Sequence, residues 1–361
     1  MTSPTDATAH VAPATHQARE RRHATRGARA TRARIAATVG AFGALAFLTC
    51  LLAPLVGSTH ISLVRAFDRS IPFADNVDAQ IFFVARLPRV LAGALVGAGL
   101  ASAGVVFQAL LRNPLADPFT LGVSGGASVG AMLAITFGLS MAVGPVSPVP
   151  LATLAGAGAA ALLVYRLATA AGRAMSTSVL LLAGVTLNAF FSAVIMLLQY
   201  VSSFTEVYRA MRWLMGDLDI GGFAPVIAAL PLMAIAFVLF ALLPSALNQL
   251  SVGSDAAASR GVDVARVQRL AFVSASLATS GSVSLAGPIG FVGIVVPHLV
   301  RLIVGVDHRV VLPASALFGA AFLVGCDLVA RTLFSPVEIP LGIVTAMIGG
   351  PFFLWLLVRR G

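Results

Sequence analysis

The sequence predicts an all-α integral membrane protein of about ten transmembrane helices, and three observations predict it. Hydrophobic residues make up 58% of the 361 residues and charged residues only 11%, where an ordinary soluble domain carries about 25% charged residues. Apolar runs long enough to cross a bilayer core recur from residue 35 to residue 358. The chain has no lysine, so all 24 basic residues are arginine, and they sort to one side when the spans alternate across the membrane.

Residues 1–34 are rich in Ala, Thr and Arg, with seven arginines between Arg19 and Arg34. They run straight into the apolar stretch 35–56, which is too long for a signal-peptide core. The pair therefore reads as a disordered basic tail followed by an uncleaved first span. The spans expected from there are 35–56, 87–108, 120–139, 151–171, 178–200, 223–243, 268–286, 290–305, 311–333 and 339–358. Positive charge beside the first span puts the N-terminus in the cytoplasm, and an even number of spans returns Arg359 and Arg360 there. Counted this way, 17 arginines lie inside and 7 outside, the outer set being Arg65, Arg69, Arg86, Arg89, Arg209, Arg212 and Arg331.

The second span, LAGALVGAGLASAG, is built from Gly, Ala and Ser, which let helix backbones approach closely. It ends at Arg112-Asn113-Pro114-Leu115-Ala116-Asp117-Pro118, where two prolines stop it. The eighth span is short, with Gly287-Pro288 before it and Pro297 within it. Broken helices of this kind border a path or a moving part, or are structural kinks.

Between the sixth and seventh spans lies a polar island, Pro244–Leu270. Ser254 or Asp255 can cap a short helix through Ala256, Ala257 and Ala258, which Gly261 can end in the left-handed conformation. Asp263 can cap a second helix through Arg266 and Arg269. The island is either an ordinary solvated loop or a lever of two amphipathic helices joined to the spans on either side.

An internal echo aligns Arg86–Gly104 with Asp263–Gly281, identical at eight of nineteen positions. The first copy enters from outside and the second from inside, the arrangement of inverted-repeat transporter halves.

The composition also excludes chemistry. Without lysine the chain has neither a phosphate-loop lysine nor a Schiff-base amine. Cys50 and Cys326 both fall in apolar spans, against a disulfide framework or a thiolate metal centre. His298, the one histidine within an expected span, reads as a packing or hydrogen-bonding residue rather than a relay. Asp327 and Glu338 lie toward outer span ends, so no deep carboxylate is expected to carry a coupling ion. Work would then arrive from a partner at the polar island. The rival reading is a proton- or sodium-coupled secondary transporter, and a membrane-embedded enzyme is a third class.

Several stretches carry a family likeness. Asp255-Ala256-Ala257-x-x-x-Gly261 is similar to the EAA-x-x-x-G coupling motif of ABC-importer permeases. Arg86-Leu-Pro-Arg89, Gln108 through Pro118, Leu121-Gly-Val-Ser-Gly-Gly126, Leu181-Leu-Ala-Gly-Val185 and Trp213-Leu-Met-Gly216 follow a pattern that continues in Gly290 through Arg301, Asp307-His-Arg309, Asp327-Leu-Val-Ala-Arg331, Ile339-Pro-Leu-Gly342 and Ile348 through Phe352. In order, over roughly residues 40–358, the chain resembles the iron-siderophore, haem and cobalamin uptake permeases of the FecCD type.

The resemblance implies a type II ABC importer permease domain over 35–361 with coupling helices at 244–266, in the bacterial inner membrane with both termini cytoplasmic. It implies a homodimer with two copies of a separate ATPase that binds ATP and Mg, a periplasmic binding protein as further partner, lipid around it and no nucleic acid. This chain would bind no cofactor or metal and catalyse no reaction. Arg86, Arg89 and Arg331 match the arginines that receive binding-protein glutamates, guanidinium forks being suited to carboxylates. Arg331 could equally form an i,i+4 pair with Asp327. Asp255, Ala256, Ala257 and Gly261 match the ATPase-coupling positions. Asn113, Leu115, Thr177 and Ser178 match the cytoplasmic gate, although Thr177 and Ser178 could simply cap the fifth span. Asn188, Ser192 and Gln199 share one face of that span, a wet stripe along the path or a set of interhelical hydrogen-bonding groups. Among cargoes, haem is favoured over ferric siderophore or cobalamin on overall likeness, with no single residue behind the preference.

Overall fold

The computed structural model describes residues 35–139, 147–170 and 175–360, and among them every regular element is helical. The expected basic tail, residues 1–34, and Arg173 of the charge tally lie outside the described residues. The chain forms α1 (Ile35–Leu55), α2 (Val77–Leu111), α3 (Val123–Thr136), α4 (Pro148–Thr169), α5 (Thr177–Val201), α6 (Phe204–Leu214) and α7 (Ala224–Ala241). After these come α8 (Pro244–Leu250), α9 (Ser254–Ala258), α10 (Val264–Ala286), α11 (Val292–Val304), α12 (His308–Thr332) and α13 (Leu341–Arg360).

All ten expected spans fall on helices. Six of these helices are both long and apolar enough to cross a membrane: α1, α2, α4, α5, α7 and α12. Three more, α3, α11 and α13, contain shorter apolar stretches, and α10 has 23 residues diluted by serines and a threonine. Two elements differ from expectation. The second span begins at Val77 instead of 87, because Asn76 accepts a hydrogen bond from the Ala79 N–H at 3.0 Å and starts the helix early. A π-helical segment, Ile81–Arg86, carries it onward, while Phe67 packs on Phe82 and Phe83 at 5.6 and 5.4 Å between ring centres. The amphipathic α6 was not expected at all. Its start is a reciprocal cap in which Ser203 and Glu206 satisfy each other's backbone N–H groups.

The core is α2, enclosed by α12, α10, α11 and α7. Small residues make the enclosure possible. A Cβ on Gly97 would lie 2.2 Å from the Gly319 carbonyl oxygen of α12, and one on Gly104 would lie 2.1 Å from the Gly293 carbonyl oxygen of α11. With no water to displace, such backbone approach is what membrane helices gain from packing. Gly130 of α3 meets the Ala152 carbonyl of α4 in the same manner.

The bundle has two rims. At one, the start of α2 joins the end of α12 through Arg89 and Asp327. The Asp217 N–H bonds the Ala286 carbonyl at the end of α10, and the Leu341 N–H bonds Gly216, bringing the start of α13 alongside. At the other rim α8 meets the start of α12 through Asn248 and Asp307. So α2 starts at the first rim and α10 ends there. The two echoed stretches run in opposite directions while their helices pack together, as inverted halves require.

The two expected breaks also meet. Arg112 (φ 48°) turns the chain out of α2, and Phe291 (φ 69°) turns it into α11, both in the left-handed region where non-glycine residues are uncommon. The Asp117 carboxyl sits against the backbone of Phe119 on one break and of Phe291 on the other. Gly293 makes room for it, since a Cβ there would lie 3.0 Å from Asp117 Oδ1.

Candidate functional site

The first rim holds a buried ion cluster. Arg89 Nε lies 2.8 Å from Asp327 Oδ1 and Arg89 Nη1 lies 2.7 Å from Glu338 Oε2. Arg331 Nε faces the other Asp327 oxygen at 3.5 Å, an ion pair too long for a hydrogen bond. Arg331 Nη2 donates to the Ala53 carbonyl at 2.6 Å. Arg86 donates to the Pro54 carbonyl at 3.1 Å and to the Thr59 carbonyl. One buried carboxylate thus holds two guanidinium groups, and the carbonyls at the end of α1 absorb donors left over. Removed from water, such charges persist only when paired and hydrogen-bonded.

Arg86, Arg89 and Arg331, expected as docking groups, do share one rim, yet they are only 6%, 9% and 4% exposed and are engaged within the chain. The arginines on this rim that face outward are Arg65, Arg69, Arg209 and Arg212. Arg65 lies 3.7 Å from Asp78, and Arg212 lies 3.2 Å from Asp217. The i,i+4 pair of Asp327 and Arg331 exists, buried rather than on the surface.

The expectation of no deep carboxylate is corrected. Asp327 is 1% exposed and Asp117 is 4% exposed. Asp327 is paired with Arg89, 238 positions away, as well as with Arg331 one turn on. Asp117 is buried because the turn after α2 folds inward against α11. Neither the Arg89 pairing nor this inward fold is visible in local sequence.

At the opposite rim the coupling positions form a compact turn. Asp255 is exposed, Ala256 half-buried and Ala257 fully buried. Gly261 has φ +81° with open space around it, the left-handed residue expected at this stop. The expected capping differs in one respect. Gly253 (φ +135°) precedes α9, so Ser254 and Asp255 are its first residues and not its cap. Asp263 caps as expected, its Oδ1 accepting from the Arg266 N–H at 3.0 Å. The helix it starts is α10 itself, so the second lever arm is continuous with a span, and α8 adds a short helix at the start of the 244–266 stretch where coupling helices are expected.

Asn248 of α8 anchors this rim. Its Nδ2 donates to Asp307 Oδ1 at 2.6 Å, and its Oδ1 accepts from the His308 backbone N–H at 2.9 Å and from His308 Nδ1 at 2.7 Å. Partial burial works to raise the Asp307 pKa. The Arg309 amide, the Asn248 amide and the Arg309 and His308 charges outweigh it and hold the carboxyl below its ordinary range. Asp307 is therefore an acceptor only, which fixes the Asn248 amide orientation and places the His308 proton on Nδ1. Beside it Arg309 reaches Ser245 Oγ at 3.3 Å. Arg301 donates to the Gln108 side chain, whose Nε2 donates to the Gly293 carbonyl at 2.9 Å, tying α11 to α2.

The gate and path residues divide. Asn113 Oδ1 accepts from the Leu115 N–H at 3.0 Å, closing a turn that leaves Leu115 exposed. Ser176, not Thr177 or Ser178, caps α5 through the Val179 N–H at 3.4 Å; Thr177 is half-buried and Ser178 exposed. Asn188 donates to the Phe119 carbonyl at 2.8 Å, an interhelical bond to the break after α2. Ser192 is exposed and Gln199 half-buried on a helix whose apolar face is largely open, Tyr200 being 88% exposed. Among the described residues no three His, Cys, Asp or Glu side chains are grouped to hold a metal.

Comparison with known proteins gives a consistent picture. The sequence model of the FecCD transport family matches residues 45–359. A cobalamin import system permease of Halobacterium salinarum is 46% identical over 300 residues, covering 83% of this chain and 79% of that protein. An uncharacterized ABC transporter permease of Bacillus subtilis is 39% identical over 335 residues, covering 91% and 94%. A hemin transport system permease of Yersinia pestis is 35% identical over 321 residues, covering 88% and 95%. A solved structure described as an inward-facing metal-chelate type ABC transporter superposes with TM-score 0.79 at 32% identity, covering 89% of this chain and 98% of that one.

Proposed function

The chain belongs to the FecCD transport family, and from that footing we infer that it is the membrane-spanning subunit of a binding-protein-dependent ABC importer for a bulky metal chelate. Two copies would form the path, with two copies of an ATPase beneath the Asn248 rim and a periplasmic binding protein above the Asp327 rim. This chain would hydrolyse nothing. The observation that carries the reading is the polar turn of α8 and α9, which stands at the rim opposite the ion cluster and is anchored to α12 through Asn248. ATP-driven closure of the ATPase pair would press on this turn.

Orientation follows from charge. The rim with α8 and α9 also carries Arg260, Arg266, Arg269, Arg301 and Arg309, which supports a cytoplasmic assignment. Docking is then proposed for the Asp327 rim as a whole. Arg86, Arg89 and Arg331 hold its shape, and the outward-facing Arg65, Arg69, Arg209 and Arg212 meet acidic groups of the binding protein. Asn113, Leu115, Thr177 and Ser178 are proposed for the cytoplasmic gate, and Ser192 and Gln199 for the path wall. The open face of α5 would be covered by the second copy.

The cargo is proposed at the level of its class. Relatives named for cobalamin and for hemin are 46% and 35% identical, and the haem preference has no residue behind it. Uptake into proteoliposomes with the ATPase and binding protein, comparing haem, cobalamin and a ferric siderophore, tests the reading. Accumulation of one chelate supports it, and accumulation of none would contradict it. Proton- or sodium-coupled secondary transport remains the rival because Asp117 Oδ1 is buried without a hydrogen-bond partner among the described residues.

A further inference from the structure

Asn248 lies outside the coupling motif, yet it makes three hydrogen bonds to two consecutive residues, Asp307 and His308, at 2.6, 2.9 and 2.7 Å. Those residues are the cap and the first residue of α12. A fourth contact, Arg309 to Ser245 at 3.3 Å, joins the same two elements one turn away. Leu247, on the α8 turn between them, is fully buried, so α8 is held by packing as well as by polar bonds. From this grip α12 runs for 25 residues, roughly 37 Å at 1.5 Å per residue, with Pro313 removing one hydrogen bond of its ladder about a turn from the grip. Its far end carries Asp327 and Arg331, which hold Arg89 and the end of α1. The helix therefore has a polar clamp at each rim, and its middle is locked against α2 by the Gly97–Gly319 backbone approach.

We propose that Asn248 is a positioning residue that makes α8 and α12 move as one body, so that a stroke delivered to the coupling turn reaches the Arg89–Asp327 cluster through α12. The proposal rests on the ABC-importer reading. It adds a direct route between the ATPase-facing rim and the binding-protein-facing rim, separate from the path through α10 on the other side of the coupling turn. The Asn248 side chain suits this task. Its amide is used at both ends, by an ionised acceptor and by two donors of one residue, so sliding of α8 along α12 would break all three bonds together.

The test uses the full assembly of this chain, its ATPase and its binding protein in proteoliposomes. Asn248→Ala is expected to leave assembly and basal ATP hydrolysis unchanged while lowering binding-protein stimulation of hydrolysis by about two- to thirtyfold. Unchanged stimulation in an assembled variant would overturn the proposal. A second variant keeps Asn248 in place. Ser245→Cys with Arg309→Cys, in a Cys50→Ala and Cys326→Ala background, is bridged by a short bifunctional maleimide. If α8 and α12 move together, bridged vesicles retain uptake; loss of uptake on bridging, with the unbridged variant active, would overturn the proposal. Absence of ATP-driven uptake by the wild-type assembly would instead overturn the functional reading itself, and with it any transport role for the clamp.

Discussion

Arg89 of α2 and Asp327 of α12, 238 positions apart in the chain, meet at 2.8 Å in a buried pair. Their contact closes the bundle at one rim, and Arg331 and Glu338 complete the cluster around it. The four groups differ in burial, and the difference sets an order of effects. Asp327→Ala leaves two guanidinium groups without their shared carboxylate and is expected to cost about 3–5 kcal/mol. Glu338 is 44% exposed in its side chain, so Glu338→Ala is expected to cost only about 0–1 kcal/mol. Thermal unfolding of the purified chain in detergent checks the order, and equal losses would contradict it.

The Gly97–Gly319 approach predicts a second stability effect. Alanine at Gly97 would bring its Cβ to 2.2 Å from a backbone oxygen that cannot rotate away. Gly97→Ala is expected to cost about 1–3 kcal/mol through forced separation of α2 and α12. Gly325→Ala, where nothing lies within 4 Å, is the control and should be close to neutral in the same unfolding experiment.

Much of this arrangement was legible in the sequence, and the parts that were not share a cause. Ten apolar runs gave ten helices because length and hydropathy are local properties. The Gly261 stop and the Asp263 cap were readable because each needs only its own few neighbours. The start at Asn76 and the Ser203–Glu206 cap of α6 are local signals as well, each a polar side chain accepting from the backbone N–H three residues on. What no window of sequence holds is the burial of Asp327 and Asp117, the engagement of Arg86 and Arg89, or the contact of Arg331 with the Ala53 carbonyl beyond its local pair with Asp327. Those depend on α1, α2, α12 and the turn before α13 converging from distant positions. A motif can mark these arginines as special without telling whether they face a partner or an internal carboxylate.

That distinction is testable at the Asp327 rim. Arg209→Glu, on the exposed face of α6, is expected to slow binding-protein association by roughly tenfold at low salt, with little effect at high salt and none on thermal stability. Arg89→Glu is expected to lower thermal stability first, since it sets a third carboxylate beside Asp327 and Glu338. Stopped-flow association and an unfolding curve on each variant separate the two roles. An Arg89→Glu chain that stays fully stable and merely loses docking would return the docking role to the buried set.

Gly261 gives the prediction for the other rim. Its φ of +81° suits glycine, and a β-branched residue there would be strained by about 1–2 kcal/mol. Because open space surrounds it, the strain is conformational and should shift the turn after α9 rather than unfold the bundle. Gly261→Val is expected to leave the assembly able to hydrolyse ATP while uptake falls, read as molecules transported per ATP. An unchanged ratio would remove the turn from the coupling route.

The central claim is that force enters this chain from a partner at the Asn248 rim, and the source of energy for uptake tests it most directly. Vesicles holding the chain with its ATPase and binding protein should accumulate the chelate only with internal ATP and should stop when the ATPase is omitted. Accumulation by the chain alone under an imposed proton or sodium gradient, abolished by Asp117→Asn, would contradict the account.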